Sequence, residues 1–214
     1  PKGSGRAFEA FIREFEGVLK NEYAVTDPDV TLTCAAAETA KAVSAERTVT
    51  LVQALTAMPQ GVEAMDTDFP GLVQTSLNMG VVKLDGDGLH IAFSIRSSIA
   101  SRKLMLAQRV RAVAALAGGT VAERGVYPGW QYKRESQFRD TLLAAYKDLT
   151  GKDGVVEATH GGLECGLLME KIPGLDAVSM GPELHDVHSV RERLSVPSTE
   201  RTYELVCELL RRSC

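Results

Sequence analysis

The chain has 214 residues, 44% hydrophobic and 24% charged, with a formal net charge of -4. That is apolar material for one large core or two small ones, and no stretch approaches the roughly 18 consecutive apolar residues of a membrane span. Basic residues alternate with acidic ones instead of gathering into a stripe, which argues against nucleic acid as a partner.

Four cysteines, Cys34, Cys165, Cys207 and Cys214, have no paired spacing. Neither a zinc ribbon nor a disulfide framework is expected, and a reducing cytoplasm is the expected compartment. No charged-then-apolar leader opens the sequence, and the start at Pro1 without a methionine reads as a piece of something longer.

Phe8, Phe11, Ile12, Phe15, Val18 and Leu19 recur at helical spacing, so a first helix is expected to start near Ser4 or Gly5 and end around Tyr23. After the Asp27-Pro28 turn, residues 30–35 read as a strand. Leu51, Leu55 and Met58 mark a second helix that begins after Ser44 and stops at Pro59. A hairpin follows: Leu77, Met79 and Val81 alternate on one side of the Asp85-Gly86-Asp87-Gly88 turn, and Leu89, Ile91, Phe93 and Ile95 on the other. Its opposite face carries Ser76, Asn78, His90, Ser94 and Arg96, so one side should seal a core while the other meets solvent or a ligand. A helix over 101–116, with Leu106, Val110, Val113 and Leu116 inward, should end at Gly118-Gly119 and lead into a strand over 120–126.

Helices and a hairpin in this order imply an α+β sandwich, with helices packed on one face of a mainly antiparallel sheet. Around Tyr127-Pro128-Gly129-Trp130 the pattern changes. A helix over 136–149 (Phe138, Leu142, Tyr146 and Leu149 inward), a strand over 155–159, a helix over 163–171, a strand over 176–180 and a helix over 198–211 alternate as α/β units do. The expected boundary separates 1–127 from 128–214. The second part is expected to be an incomplete α/β segment, because two strands are too few for a doubly wound sheet.

In α/β sheets ligands gather outside the carboxyl ends of strands, which directs attention to two loops. The first is His160-Gly161-Gly162-Leu163-Glu164-Cys165-Gly166, a diglycine turn opening into a helix whose free amides favour an anion; ordinary loop geometry is the alternative. The second runs Gly181-Pro182-Glu183-Leu184-His185-Asp186-Val187-His188-Ser189, where imidazole and carboxylate together suit zinc or manganese, and a solvated polar loop is the alternative. His185 and His188 are both candidates, and Asp186 or Glu183 could orient an imidazole from behind. Arg96 could hold a carboxylate bidentately or pair with a neighbouring acid. Cys165 near a helix N-terminus admits a thiol-nucleophile reading, with His160 or His185 as base, against that of an inert core cysteine.

The runs H-G-G-L-E-C-G at 160–166 and G-P at 181–182 through D-V-H-S at 186–189, then Arg191-Glu192-Arg193-Leu194 and a helix opening Ser198-Thr199-Glu200-Arg201, resemble the C-terminal end of Xaa-His dipeptidases (peptidase D), a family of dinuclear zinc metallopeptidases. The hairpin end F-S-I-R-S-S at 93–98 is similar to that family's lid domain.

The resemblance implies a cytoplasmic metallopeptidase that hydrolyses dipeptides, especially those ending in histidine, with two zinc ions in the complete enzyme and manganese or cobalt as alternatives. It makes 1–127 part of a lid and dimerisation domain, and 128–214 the end of the catalytic domain. By the same comparison His188 is a metal ligand, Arg96 binds the substrate's terminal carboxylate with Asn78 near it, and Gly161, Gly162 and Glu164 line the pocket. The family's remaining metal ligands, its bridging aspartate, its general-base glutamate and its lid histidine have no counterpart here, so the chain alone is expected to be catalytically silent. The alternative is a non-catalytic dimerisation or ligand-binding module.

Overall fold

In a computed structural model the described residues are 5–35 and 42–213. Two compact units divide the chain, Pro1–Ala45 and Glu46–Cys214.

The first unit is dominated by α1, Gly5–Glu22. Phe8, Phe11 and Phe15 stand in a row, with ring centroids 6.4 Å and 5.7 Å apart, as residues three and four apart on one helix face must. Lys20 pairs with Glu16 at 2.7 Å on the polar side. None of the α1 residues is buried. Ser4, expected near the start of this helix, and Cys214 lie outside the described residues. The strand expected over 30–35 does not form: the segment is irregular where described.

The second unit holds α2 (Ala45–Ala57), β1 (Gly61–Met65), β2 (Val73–Leu84), β3 (Leu89–Ser97), α3 (Ala100–Leu116), α4 (Gln137–Thr150), α5 (Glu164–Lys171), β4 (Leu184–His185), β5 (Arg193–Leu194) and α6 (Val196–Ser213). Strands β1, β2 and β3 form an antiparallel sheet in that order. The β1 strand was not foreseen, since Gly-Val-Glu-Ala-Met offers little alternation. Helix α3 lies on the β2–β3 hairpin, and Leu77, Leu106 and Val110 are buried there with Met58, Phe93 and Ile95 against them. A second core joins Leu142 and Ala145 of α4 to Leu209 of α6, with Val178 and Leu205 alongside. The α+β character expected from the sequence is therefore present.

Local signals were accurate where the chemistry was local. Gly118, at φ +75°, takes the left-handed position that ends α3; its amide donates to Ala115 O and that of Gly119 to Ala114 O, closing the last turn. Ser136 caps α4 by accepting from the Arg139 amide at 3.1 Å.

The hairpin departs from simple alternation at Gly80. Met79 pairs with Phe93 but Val81 pairs with Ala92, a one-residue bulge that turns Val81 to the polar face and brings Val82 opposite Ile91. Three residues expected to face inward do not. Leu116, at the end of α3, is 89% exposed, and on α4 the fully buried residue is Ala145, while Phe138 and Leu149 are exposed.

The strands expected over 120–126, 155–159 and 176–180 have no ladder partner among the described residues and form no regular secondary structure. β-branched residues favour extended backbone, but a strand also needs a neighbour, and a single segment's composition cannot supply one. Asp176 secures the last of these segments. Its carboxylate accepts from the Ser136 hydroxyl at 2.9 Å and the Phe138 amide at 3.1 Å, with Lys133 at 3.6 Å. Burial opposes its ionisation, but those three groups outweigh burial and hold its carboxyl below the ordinary aspartate range. A depressed carboxyl stabilises the fold above its unfolded value and loses that contribution as pH falls through the folded one. Thermal melts should therefore decline below about pH 4, and Asp176→Asn should flatten that acid limb relative to the unmodified chain.

Candidate functional site

Two of these irregular segments matter because residues 156–159 and 176–179 line a cleft of about 940 Å³ in the second unit. One side is the end of β3, with Ser94, Arg96 and Ser98. The floor and far side come from residues 127–130, the start of α4, residues 156–164 and residues 176–179, and His188 reaches the cleft from the loop after β4.

Close backbone packing holds these pieces together. A Cβ on Gly129 would lie 2.6 Å from Ser98 O and 2.7 Å from Ser97 O, so only glycine lets residues 127–130 approach the end of β3 this closely. Lys103 of α3 donates to Tyr127 O. Helix α5 packs its buried Gly166 against Trp130 and the carbonyls of Pro128 and Gly129.

The diglycine turn sits directly on the Tyr127 ring. A Cβ at Gly162 would come within 2.5 Å of Tyr127 Cδ1, whereas one at Gly161 would meet only Thr159 Oγ1 at 3.6 Å. The second glycine is thus required by protein packing, and the first leaves open space. Glu164 follows in the first turn of α5, where a carboxylate suits the positive end of the helix dipole. Burial first, and then the Glu164 charge, pushes the Tyr127 phenol up.

His160 connects this turn to the sheet. Its Nε2 lies 2.7 Å from Ser76 Oγ of β2, and its backbone oxygen accepts from Arg96 Nη1 at 3.4 Å. Burial and then the nearby Arg96 charge lower its imidazole pKa, with a backbone hydrogen bond involving Val73 working the other way.

Among the residues singled out from the sequence, Arg96, Gly161, Gly162, Glu164 and His188 line this one cleft. Asn78, exposed two rungs along β2, does not line it, nor does His185. His185 pairs with Arg193 in the short β4–β5 ladder, which replaces part of the expected loop. His188 has φ +63° and Asp186 φ +51°, sparsely populated left-handed backbone for residues other than glycine. The turn is held by the His188 amide donating to Glu192 Oε2 at 2.8 Å and by an Asp186–Arg193 pair at 2.5 Å. Asp186 is therefore committed to Arg193, and Glu183 to Arg201 at 3.4 Å.

The cleft lends the thiol-nucleophile reading no support. His160 Nε2 is bonded to Ser76, and neither Cys165 nor His185 lines the cleft. Tyr127, Trp130, Lys103 and Asp176 line the cleft but were not singled out as site residues. Only the aromatic Tyr-Pro-Gly-Trp run carried a signal, and it read as a boundary.

The donor set bears on metal binding. Among the described residues no three His, Cys, Asp or Glu side chains come together as a metal centre would need. His188 is a single imidazole, and a catalytic zinc takes at least three protein ligands, so these residues do not by themselves fit a zinc ion. Nor is any helix among the described residues long and apolar enough to cross a membrane.

No family model matches the chain. It is 32% identical over 204 residues to the cytosol non-specific dipeptidase of Escherichia coli (strain K12), a match covering 95% of the chain and 42% of the relative. Its fold is similar to that of the aminoacylhistidine dipeptidase from Vibrio alginolyticus, with a TM-score of 0.87, 29% identity and coverage of 99% of this chain and 44% of that one. The aminopeptidase PepT from Bacillus cereus shares the fold more distantly, with a TM-score of 0.56 at 18% identity over 76% of this chain and 44% of that one. The chain thus spans less than half the length of the relatives it matches. By sequence and by fold the chain is similar to these two dipeptidases over nearly its whole length, and the likeness supports reading it as the C-terminal portion of such a protein.

Proposed function

We propose that this chain supplies the substrate-carboxylate wall and one metal-ligating imidazole of a metal-dependent dipeptidase acting on Xaa-His and related dipeptides. The observation that carries the reading is the meeting in one cleft of the Arg96 guanidinium, the diglycine turn, Glu164 and His188. A guanidinium presents a planar fork that matches a carboxylate with two parallel hydrogen bonds, and the first turn of α5 lies just beyond the diglycine. Arg96 takes the terminal carboxylate, Gly161 gives the substrate room against the backbone, and His188 contributes one ligand to a metal whose other ligands lie outside this chain. Zinc is the metal proposed, with manganese or cobalt as alternatives. Asn78 falls on the polar face of the sheet but outside the cleft, so its part in the reading is peripheral.

In the same reading 1–127 is a lid-type part, 128–214 the end of the catalytic part, and the setting cytoplasmic. Two copies pair through the lid. Support for pairing comes from β1 and β3, each with only one neighbouring strand among the described residues. Unpaired strand edges are a common route to self-association.

Calorimetry and a turnover assay on the purified chain test the reading. The expected outcome is binding of alanyl-histidine but not of its C-terminal amide, with no hydrolysis of the dipeptide after zinc is added. Equal binding of acid and amide would overturn the carboxylate assignment, and hydrolysis by the chain alone would overturn the division of metal ligands.

A further inference from the structure

We propose that Ser76 and His160 are positioning residues that together hold the Arg96 guanidinium at the cleft, Ser76 through the His160 ring and His160 through its own carbonyl. The inference rests on the reading of Arg96 as the carboxylate-binding group.

Ser76 and Arg96 face each other as direct partners across β2 and β3, so their side chains leave the sheet on the same face. Both reach the same residue outside the sheet. Ser76 Oγ lies 2.7 Å from His160 Nε2, and Arg96 Nη1 donates to His160 O at 3.4 Å. One rung of the sheet therefore grips one residue at two points, ring and backbone. Fixing the ring places the carbonyl, and the carbonyl restrains the guanidinium. Gly161 and Gly162 come next in the chain, so the same grip sets the diglycine turn against Arg96.

This arrangement has a physical use. An arginine side chain has wide rotamer freedom, and a binding site that orders it beforehand does not lose that freedom when the ligand arrives. His160 is partly buried, and both burial and the adjacent Arg96 charge favour its neutral form. A neutral ring does not compete with Arg96 for a carboxylate. Ser76 itself does not line the cleft, so any effect of changing it on a ligand must pass through His160 and Arg96.

Nitrogen-15 NMR of the arginine side chains in the full chain provides the test. Ser76→Val and Ser76→Thr are close in shape and both suit a strand; they differ by the hydroxyl. In the unmodified chain and in Ser76→Thr the Arg96 guanidinium nitrogens should be resolved by slow rotation. In Ser76→Val they should merge, and affinity for alanyl-histidine should fall about tenfold as the preorganisation is lost. Melting curves verify that each variant is folded, and Ser76→Ala serves in place of Ser76→Val if the latter is not. Unchanged Arg96 signals and unchanged affinity in the hydroxyl-free variant would overturn the proposal. Hydroxyl-dependent Arg96 ordering in a chain that binds the dipeptide and its amide equally would uphold the positioning role while removing the carboxylate reading beneath it.

Discussion

Replacing Arg96 by alanine should abolish the preference for a free dipeptide carboxylate, lowering affinity for alanyl-histidine by about 2–3 kcal/mol, or roughly 30- to 150-fold. The size follows from the chemistry of the contact. Hydrogen bonds between ionised partners contribute about twice what neutral ones do, and the chain's other cationic groups at the cleft are already committed. Lys103 is bonded to Tyr127 O, Lys133 is near the Asp176 carboxylate, and Arg139 donates to the carbonyls of Lys133 and Arg134 while lying 5.1 Å from the centroid of the Tyr132 ring. Arg96 makes one long bond to a carbonyl, which leaves most of its donors available. Arg96→Lys should recover only part of the loss, because an ammonium is a point charge and cannot offer the fork. Titration calorimetry with the acid and the amide gives both numbers. An Arg96→Ala chain that still prefers the acid by the same margin would refute the assignment.

Gly129→Ala should lower stability by about 3 kcal/mol, seen as a drop in Tm of roughly 6–12 °C. The added methyl would sit 2.6 to 2.8 Å from the Ser97 and Ser98 backbone, and backbone at the end of a strand cannot swing aside as a side chain can. Relief requires moving residues 127–130 away from β3, which also withdraws the packing under Gly166. Stability and the cleft should therefore fail together: the variant should lose dipeptide binding at temperatures where circular dichroism still reports a folded chain. Gly161→Ala is the natural contrast. Its Cβ would meet only Thr159 Oγ1 at 3.6 Å, so its melting temperature should stay within about 0.5 kcal/mol equivalent of the parent.

The sequence by itself determined the elements whose causes are local. Sequence patterning located α1 through α6, the Gly118-Gly119 pair marked the end of α3, and the Asp-Gly-Asp-Gly turn announced the hairpin. It also pointed to the diglycine turn, to Arg96 on the polar face of its strand, and to His185 and His188 alike, because those residue types suit an anion and a metal; Glu164 and the choice of His188 over His185 came only from the resemblance to the Xaa-His dipeptidases. What only the tertiary structure decided was everything that depends on a neighbour. Residues 120–126, 155–159 and 176–180 have strand-like composition yet stay unladdered among the described residues, since a ladder is a property of two segments. A bulge at Gly80 turned Val81 outward, which alternation along one strand cannot foresee. Asn78 and Arg96 looked equivalent on the same polar face, but only Arg96 reaches the cleft. The link from Ser76 to His160 spans 84 positions; no local pattern encodes a bond across that distance, because it exists only once the chain has folded the turn back onto the sheet.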